Sequence, residues 1–143
     1  MRKIGLDVGD KTIGVAVSDA LNITAQGITT IQRIGIKRDT DAVIEYIKEY
    51  ECKTVVMGLP LKLDGTDSPQ PEKVRQFAVK LENKLRANRM GDVSVEFYDE
   101  RLTTVMAERV LIEADLSRAR RKQVIDKQAA VLILQGYLDS HSR

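Results

Sequence analysis

Ile4-Gly5-Leu6-Asp7-Val8-Gly9-Asp10-Lys11-Thr12-Ile13-Gly14-Val15-Ala16-Val17-Ser18 is the stretch that decides the fold. Ile4, Leu6 and Val8 alternate with Gly5, Asp7 and Gly9, the period of two of a strand whose faces differ. Ile13, Val15 and Val17 alternate with Gly14, Ala16 and Ser18 in the same way, and Asp10-Lys11 joins the two runs. A turn around Asp19 to Asn22 leads to a third run, Ile23 to Ile31. Three successive strands with short links predict an antiparallel meander.

Beyond it the period changes. Val43, Ile44 and Ile47 recur at helical spacing, with Asp39 and Thr40 as candidate caps. Thr54 to Met57, ended by Gly58, is a short β-branched apolar run that predicts a buried parallel strand. All three prolines and Asp64-Gly65 fall between Leu59 and Pro71, which predicts a long loop. Ser68-Pro69 fits an N-cap followed by proline at the first helical position. Val74, Phe77, Ala78, Leu81 and Leu85 mark one helix face, and Val93, Val95 and Phe97 the next strand. Helical patterns about Thr103 to Ala114 and Lys122 to Leu138 close the chain. The expected architecture is α/β, a mixed five-stranded sheet with helices on both faces, in one domain over residues 1–143.

Composition narrows the class. The 143 residues are 43% hydrophobic and 31% charged, which excludes a disordered chain. No apolar run approaches the roughly 18 residues of a membrane helix, and Asp7 and Asp10 interrupt the one apolar stretch near the start, so neither a membrane span nor a secretory signal is expected. The single cysteine, Cys52, has no internal disulfide partner, as is usual for a cytoplasmic protein. Net charge is only +2, yet Arg118 to Lys127 carries +4, leaving −2 for the rest. The basicity is local, and it surrounds one carboxylate, Asp126.

Three acidic positions are candidates for chemistry. Asp7 sits mid-strand between Gly5 and Gly9, where a desolvated carboxylate must be paired, hydrogen-bonded or metal-bound. Its structural alternative is a strand-end Asp that bonds the turn at Asp10 to Thr12. Asp99-Glu100-Arg101 follows the strand ending in Tyr98. Only one of the two acids shares a face with Asp7, and alternation alone does not choose between them. The bland alternative is an exposed charged turn with Arg101 as a local partner. Asp126 falls in the expected first turn of the last helix, where the helix N-terminus favours a carboxylate. The small pair Ala129-Ala130 would also let that helix approach the sheet near Asp7. Three carboxylates without His or Cys select a hard cation, Mg²⁺ or Mn²⁺, able to polarise a phosphodiester for in-line attack.

Gly5-Leu6-Asp7-Val8-Gly9, Gly58-Leu59-Pro60 with Asp64-Gly65, Asp99-Glu100-Arg101-Leu102-Thr103-Thr104 and Asp126-Lys127-Gln128-Ala129-Ala130 resemble the motifs of the YqgF family. The resemblance covers essentially the whole chain; its one local departure is Gln128, where an apolar residue is the family pattern. It implies a ribonuclease-H-like fold and a Holliday-junction-resolvase-like nuclease that matures the 5′ end of the small-subunit ribosomal RNA precursor, pre-16S rRNA. It also implies Asp7, Glu100 and Asp126 as the catalytic, metal-binding acids, and it alone selects Glu100 over Asp99.

The basic residues then gain a role. Arg118, Arg120, Arg121 and Lys122 are expected to neutralise phosphates of a nucleic acid, with a solvated loop as the plain alternative. With two Phe, four Tyr and no Trp, backbone recognition is favoured over base stacking. Lys62 and Asp64 fit a turn better than a substrate path, and Cys52 and His141, the latter in an expected frayed tail, offer no chemistry. The rival readings are cleavage of branched DNA as a resolvase, a non-catalytic RNA-binding assembly factor, and an ATPase of the actin and Hsp70 type. The last wants a second Asp-x-Gly phosphate loop that the chain lacks. A monomer or weak homodimer is expected.

Overall fold

The computed structural model describes residues 1–60, 69–100 and 118–141, with the backbone alone for Pro69 and residues 118–127. The expected helix about Thr103 to Ala114, Ser68, Arg101 and the loop residues Lys62 and Asp64 lie outside the described residues. The strands are β1 (Arg2–Val8), β2 (Thr12–Ser18), β3 (Ala25–Gln32), β4 (Cys52–Leu59) and β5 (Ser94–Asp99). The helices are α1 (Ile36–Glu49), α2 (Pro69–Ala87) and α3 (Arg118–Ser140). One sheet has the order β3-β2-β1-β4-β5, with β1, β2 and β3 antiparallel and β4 and β5 parallel to β1.

The meander is present, with β3 starting two residues later than the apolar run predicts. The Asp19 carboxylate accepts from the backbone N–H groups of Ile23 and Thr24 at 2.7 and 3.1 Å, which keeps both in the turn. A second correction concerns α1. Asp39 and Thr40 lie inside the helix, not at its cap, and both are buried. Gly35 is the N-cap and supplies no side chain, so Asp39 reaches back one turn to accept from the Ile34 N–H at 3.0 Å.

The sheet carries a different core on each face. Ile4, Leu6, Val15, Val55 and Met57 pack against α1 and α2 through Val43, Ile47, Phe77 and Leu81. Ala16 and Val56 pack against α3 through Ala129, Ala130, Ile133 and Leu134. Among the described residues, no helix is long and apolar enough to cross a membrane.

α3 begins at Arg118 instead of near Lys122. Arg, Ala, Lys and Gln are strong helix formers, and the basic run extends the helix toward its N-terminus. Arg118, Arg120, Arg121 and Lys122 are therefore helical, not a loop, and Asp126 lies two turns in, beyond the reach of the helix N-terminus.

Candidate active site

The α3 face of the sheet holds the acids. Register pairs Asp7 with Gly14 across β1 and β2, and Gly5 with Val56 across β1 and β4. In parallel neighbours the paired residues share a face, so Gly5, Asp7, Val56 and Gly58 point the same way. Across β4 and β5, Val56 pairs with Glu96 and Gly58 with Tyr98, and the next residue of that alternation is Glu100. Asp99 pairs with Leu59 and belongs to the opposite face. Register between distant strands therefore makes the choice that local alternation leaves open.

Burial agrees with that assignment. Glu100 is 2% exposed and Asp7 8%. The alternative of an exposed charged turn at Asp99-Glu100 does not hold for Glu100, which folds back over β4. Its carboxyl carbon lies 3.3 Å from where a Cβ on Gly58 would stand, and that Cβ would collide with the side chain of Ile133. Gly58 thus supplies the floor on which Glu100 and α3 meet. Tyr98, one alternation earlier, has its phenol pushed up first by burial and then by Asp139 and Asp99, so it stays neutral beside these acids.

The space that Gly5 leaves on this face is taken up by α3. An added Cβ on Gly5 would stand 2.7 Å from Leu134 Cβ and 3.1 Å from the Ala130 carbonyl oxygen. The glycine admits α3 itself, and Ala129 and Ala130 are the matching small residues, both buried. This fixes the helix's direction. Its last turn meets the start of β1, where Leu138, Asp139 and His141 line a cavity of about 440 Å³ with Lys3 and Ile23. Its N-terminal part accordingly runs toward the end of β1 that carries Asp7. Asp126 precedes Ala130 by one turn, about 6 Å along the axis. Asp7 follows Gly5 by two residues, about 6.6 Å along the strand. Both acids thus lie on the same side of the Gly5–Ala130 contact; the Asp126 side chain lies outside the described residues.

The turn after Asp7 is gripped from the other face. The Arg33 side chain donates to the Gly9 carbonyl at 2.8 Å and, through Nε, to Asp39 at 2.9 Å, while the Arg33 backbone N–H donates to the Lys11 carbonyl at 2.9 Å. The Asp10 carboxylate accepts from Gln70 at 3.0 Å and Lys73 at 3.2 Å, both near the start of α2, and these bonds hold it below the usual carboxylate range. Sequence reasoning missed this clamp, because Asp39 reads as a cap residue and Arg33 belongs to no motif.

Among the described residues no group of three His, Cys, Asp or Glu forms. The chain's one cysteine, Cys52, opens β4 away from the acids, and burial pushes its thiol up to about 11, which leaves it inert. His141 lies at the far end of α3, stacked on Tyr137 at 3.9 Å, so it is held in place where fraying was expected. Asp7 and Glu100 themselves offer carboxylate oxygens, which fits a hard divalent cation.

A family model described as RuvX, Holliday junction resolvase, matches residues 1–140. A Myxococcus xanthus protein named "Putative pre-16S rRNA nuclease" is 54% identical over 141 residues, covering 99% of this chain and 89% of that one. A Clostridioides difficile protein of the same name is 55% identical over 140 residues, covering 96% and 94%. Among solved structures, Thermus thermophilus RuvC in complex with a Holliday junction substrate superposes with a TM-score of 0.64 at 14% identity, over 99% of this chain and 96% of that one. At that identity the likeness is one of fold, and the fold is ribonuclease-H-like.

Proposed function

Because the chain belongs to the RuvX (YqgF) family, we propose that it is a metal-dependent nuclease that trims the 5′ end of pre-16S rRNA, with Asp7, Glu100 and Asp126 as its catalytic acids. One observation carries the reading. Two carboxylates, Asp7 of β1 and Glu100 just past the end of β5, are buried on one face at the carboxyl ends of the parallel strands β1, β4 and β5. Two carboxylates brought to one face favour a cation that offsets their repulsion. Asp7 and Glu100 would hold Mg²⁺ or Mn²⁺ from the sheet, and Asp126 would complete the set from α3.

A bound divalent cation supplies Lewis-acid polarisation of a phosphodiester. The chain's own contribution is position. Gly58 lets Glu100 lie across β4, and the Gly5–Ala130 contact would carry the Asp126 turn toward the level of Asp7. Arg118, Arg120, Arg121 and Lys122, at the start of the same helix, neutralise phosphates on the approach to that level. Phosphate contacts of this kind orient a strand without reading its bases. The work such a protein does in ribosome assembly suits the cytoplasm.

Cleavage of a 5′-extended 16S rRNA precursor and of a four-way DNA junction, assayed side by side with Mn²⁺, tests the proposal. The precursor is expected to be cut and Asp7→Asn to abolish the cut. Cutting of the junction alone would establish the resolvase reading that the family description favours. Binding without cutting of either would leave a non-catalytic assembly factor.

A further inference from the structure

Three consecutive residues after Asp7 and Val8 are held by groups outside the β1–β2 turn. Gly9 is held through its carbonyl by the Arg33 side chain, Lys11 through its carbonyl by the Arg33 backbone, and Asp10 through its carboxylate by Gln70 and Lys73. Across the turn, the Gly9 N–H donates to the Thr12 carbonyl at 2.9 Å, which closes the link between the strands. Arg33 is itself immobilised. Asp39, 1% exposed, takes its Nε, and the guanidinium lies over the Phe77 ring at 5.4 Å. A planar fork can serve Asp39 with one nitrogen and the Gly9 carbonyl with another; an ammonium on a flexible stem cannot hold both in fixed geometry.

We propose that Arg33 is a positioning residue: by fixing the Gly9-Asp10-Lys11 turn from the α1/α2 face, with Gln70 and Lys73 as a second grip, it sets the angle at which Asp7 is presented on the α3 face. This rests on the reading of Asp7 as a metal ligand. The physical reason is leverage. Asp7 is the penultimate residue of β1, so rotation of the turn twists the strand end, and a carboxylate ligand tolerates little displacement. Arg33 touches neither substrate nor cation in this scheme. It acts from the opposite face of the sheet, which is why no motif around Asp7 contains it.

The test measures Mn²⁺ affinity of the full chain without nucleic acid, by the electron paramagnetic resonance signal of free Mn²⁺, alongside steady-state cleavage. Arg33→Lys keeps the charge beside Asp39 and removes the fork. It is expected to weaken Mn²⁺ binding about 10-fold, as the loss of groups that orient a ligand does. The same variant should lower kcat by a similar factor, leave KM for RNA within about twofold, and speed amide exchange at Gly9 to Lys11. The double variant Gln70→Ala/Lys73→Ala alters partly exposed α2 groups and preserves the Arg33–Asp39 pair, so it tests the second grip even if Arg33→Lys folds poorly. It should weaken Mn²⁺ binding about threefold. Removing a nearby cation would by itself strengthen cation binding, so a loss reports geometry. Wild-type Mn²⁺ affinity in the double variant, or in a folded Arg33→Lys protein, overturns the proposal. Asp7→Asn separates the two levels: if it binds Mn²⁺ like wild type, the metal-site reading itself falls; if it loses binding while the grip variants keep theirs, only the role of Arg33 falls.

Discussion

Glu100 lies over Gly58, its carboxyl carbon 3.3 Å from the place a Cβ would occupy, so the residue at position 58 governs how a buried acid is seated. Gly58→Ala would also drive the new methyl into Ile133 on α3. Side-chain ends can give way, and the expected cost is about 1–3 kcal/mol, the range for overpacking a core. Gly5→Ala should cost more than Gly58→Ala. There the obstacles are Leu134 Cβ at 2.7 Å and a backbone carbonyl at 3.1 Å, neither of which a rotamer change can move. Urea melts of the two variants rank them, and the reverse order would show that α3 can slide on the sheet.

The acids themselves predict a coupling between metal and stability. A cation bound to the folded chain stabilises it by mass action, about 2.7 kcal/mol at 100 times Kd. Mn²⁺ should therefore raise the Tm of the wild type clearly and that of Asp7→Asn much less. A thermal melt with and without Mn²⁺ reads both, and equal shifts in the two proteins would count against a site that includes Asp7.

Tyr137 gives a prediction at the other end of α3. Its hydroxyl donates to Glu96 Oε2 at 2.7 Å, and burial first, then that bond and the Glu96 charge, push its phenol up to about 12 from 10. The protonated form is the one favoured by folding. Its contribution is therefore fully present below pH 10 and is lost as pH rises toward 12. Stability measured by urea melts should fall across that window, and less steeply in Tyr137→Phe. Parallel curves for the two proteins would show that the phenol titrates as it does in the unfolded chain.

The meander and the closeness of α3 were legible in sequence because both rest on local pattern. Alternation around Asp7 fixes two strands, and Ala129-Ala130 beside a glycine-bearing strand points to close helix packing. The identity of the second acid was not legible. Whether Asp99 or Glu100 faces Asp7 depends on the register of β5 against β4, set by pairs such as Gly58 with Tyr98 that lie far apart in the chain. Asp39 shows the same limit at short range: its role as partner of Arg33 depends on Gly35 taking the cap, so that the acid falls one turn inside the helix. Asp126 was read as a helix-start acid because the basic run ahead of it looked like a loop, whereas α3 extends through that run.

The basic run allows binding to be separated from cleavage. Arg120 and Arg121 lie on the first turn of α3, ahead of Asp126. If they contact phosphates, changing both to Ala weakens binding for every RNA sequence alike, because the contacts carry no base information. Each lost contact lowers the magnitude of the log–log salt slope by roughly 0.7 for single strands and 0.9 for duplex. Glu100→Gln acts on the other half of the site. It removes a buried negative charge and keeps the basic helix, so binding persists while cleavage is lost. Affinity is expected to rise modestly at low salt, where repulsion between Glu100 and the phosphates is least screened. Filter binding at several salt concentrations, run beside the cleavage assay, checks both halves. A wild-type salt slope in the double arginine variant would remove the helix from the substrate path, and wild-type cleavage by Glu100→Gln would remove that acid from the site.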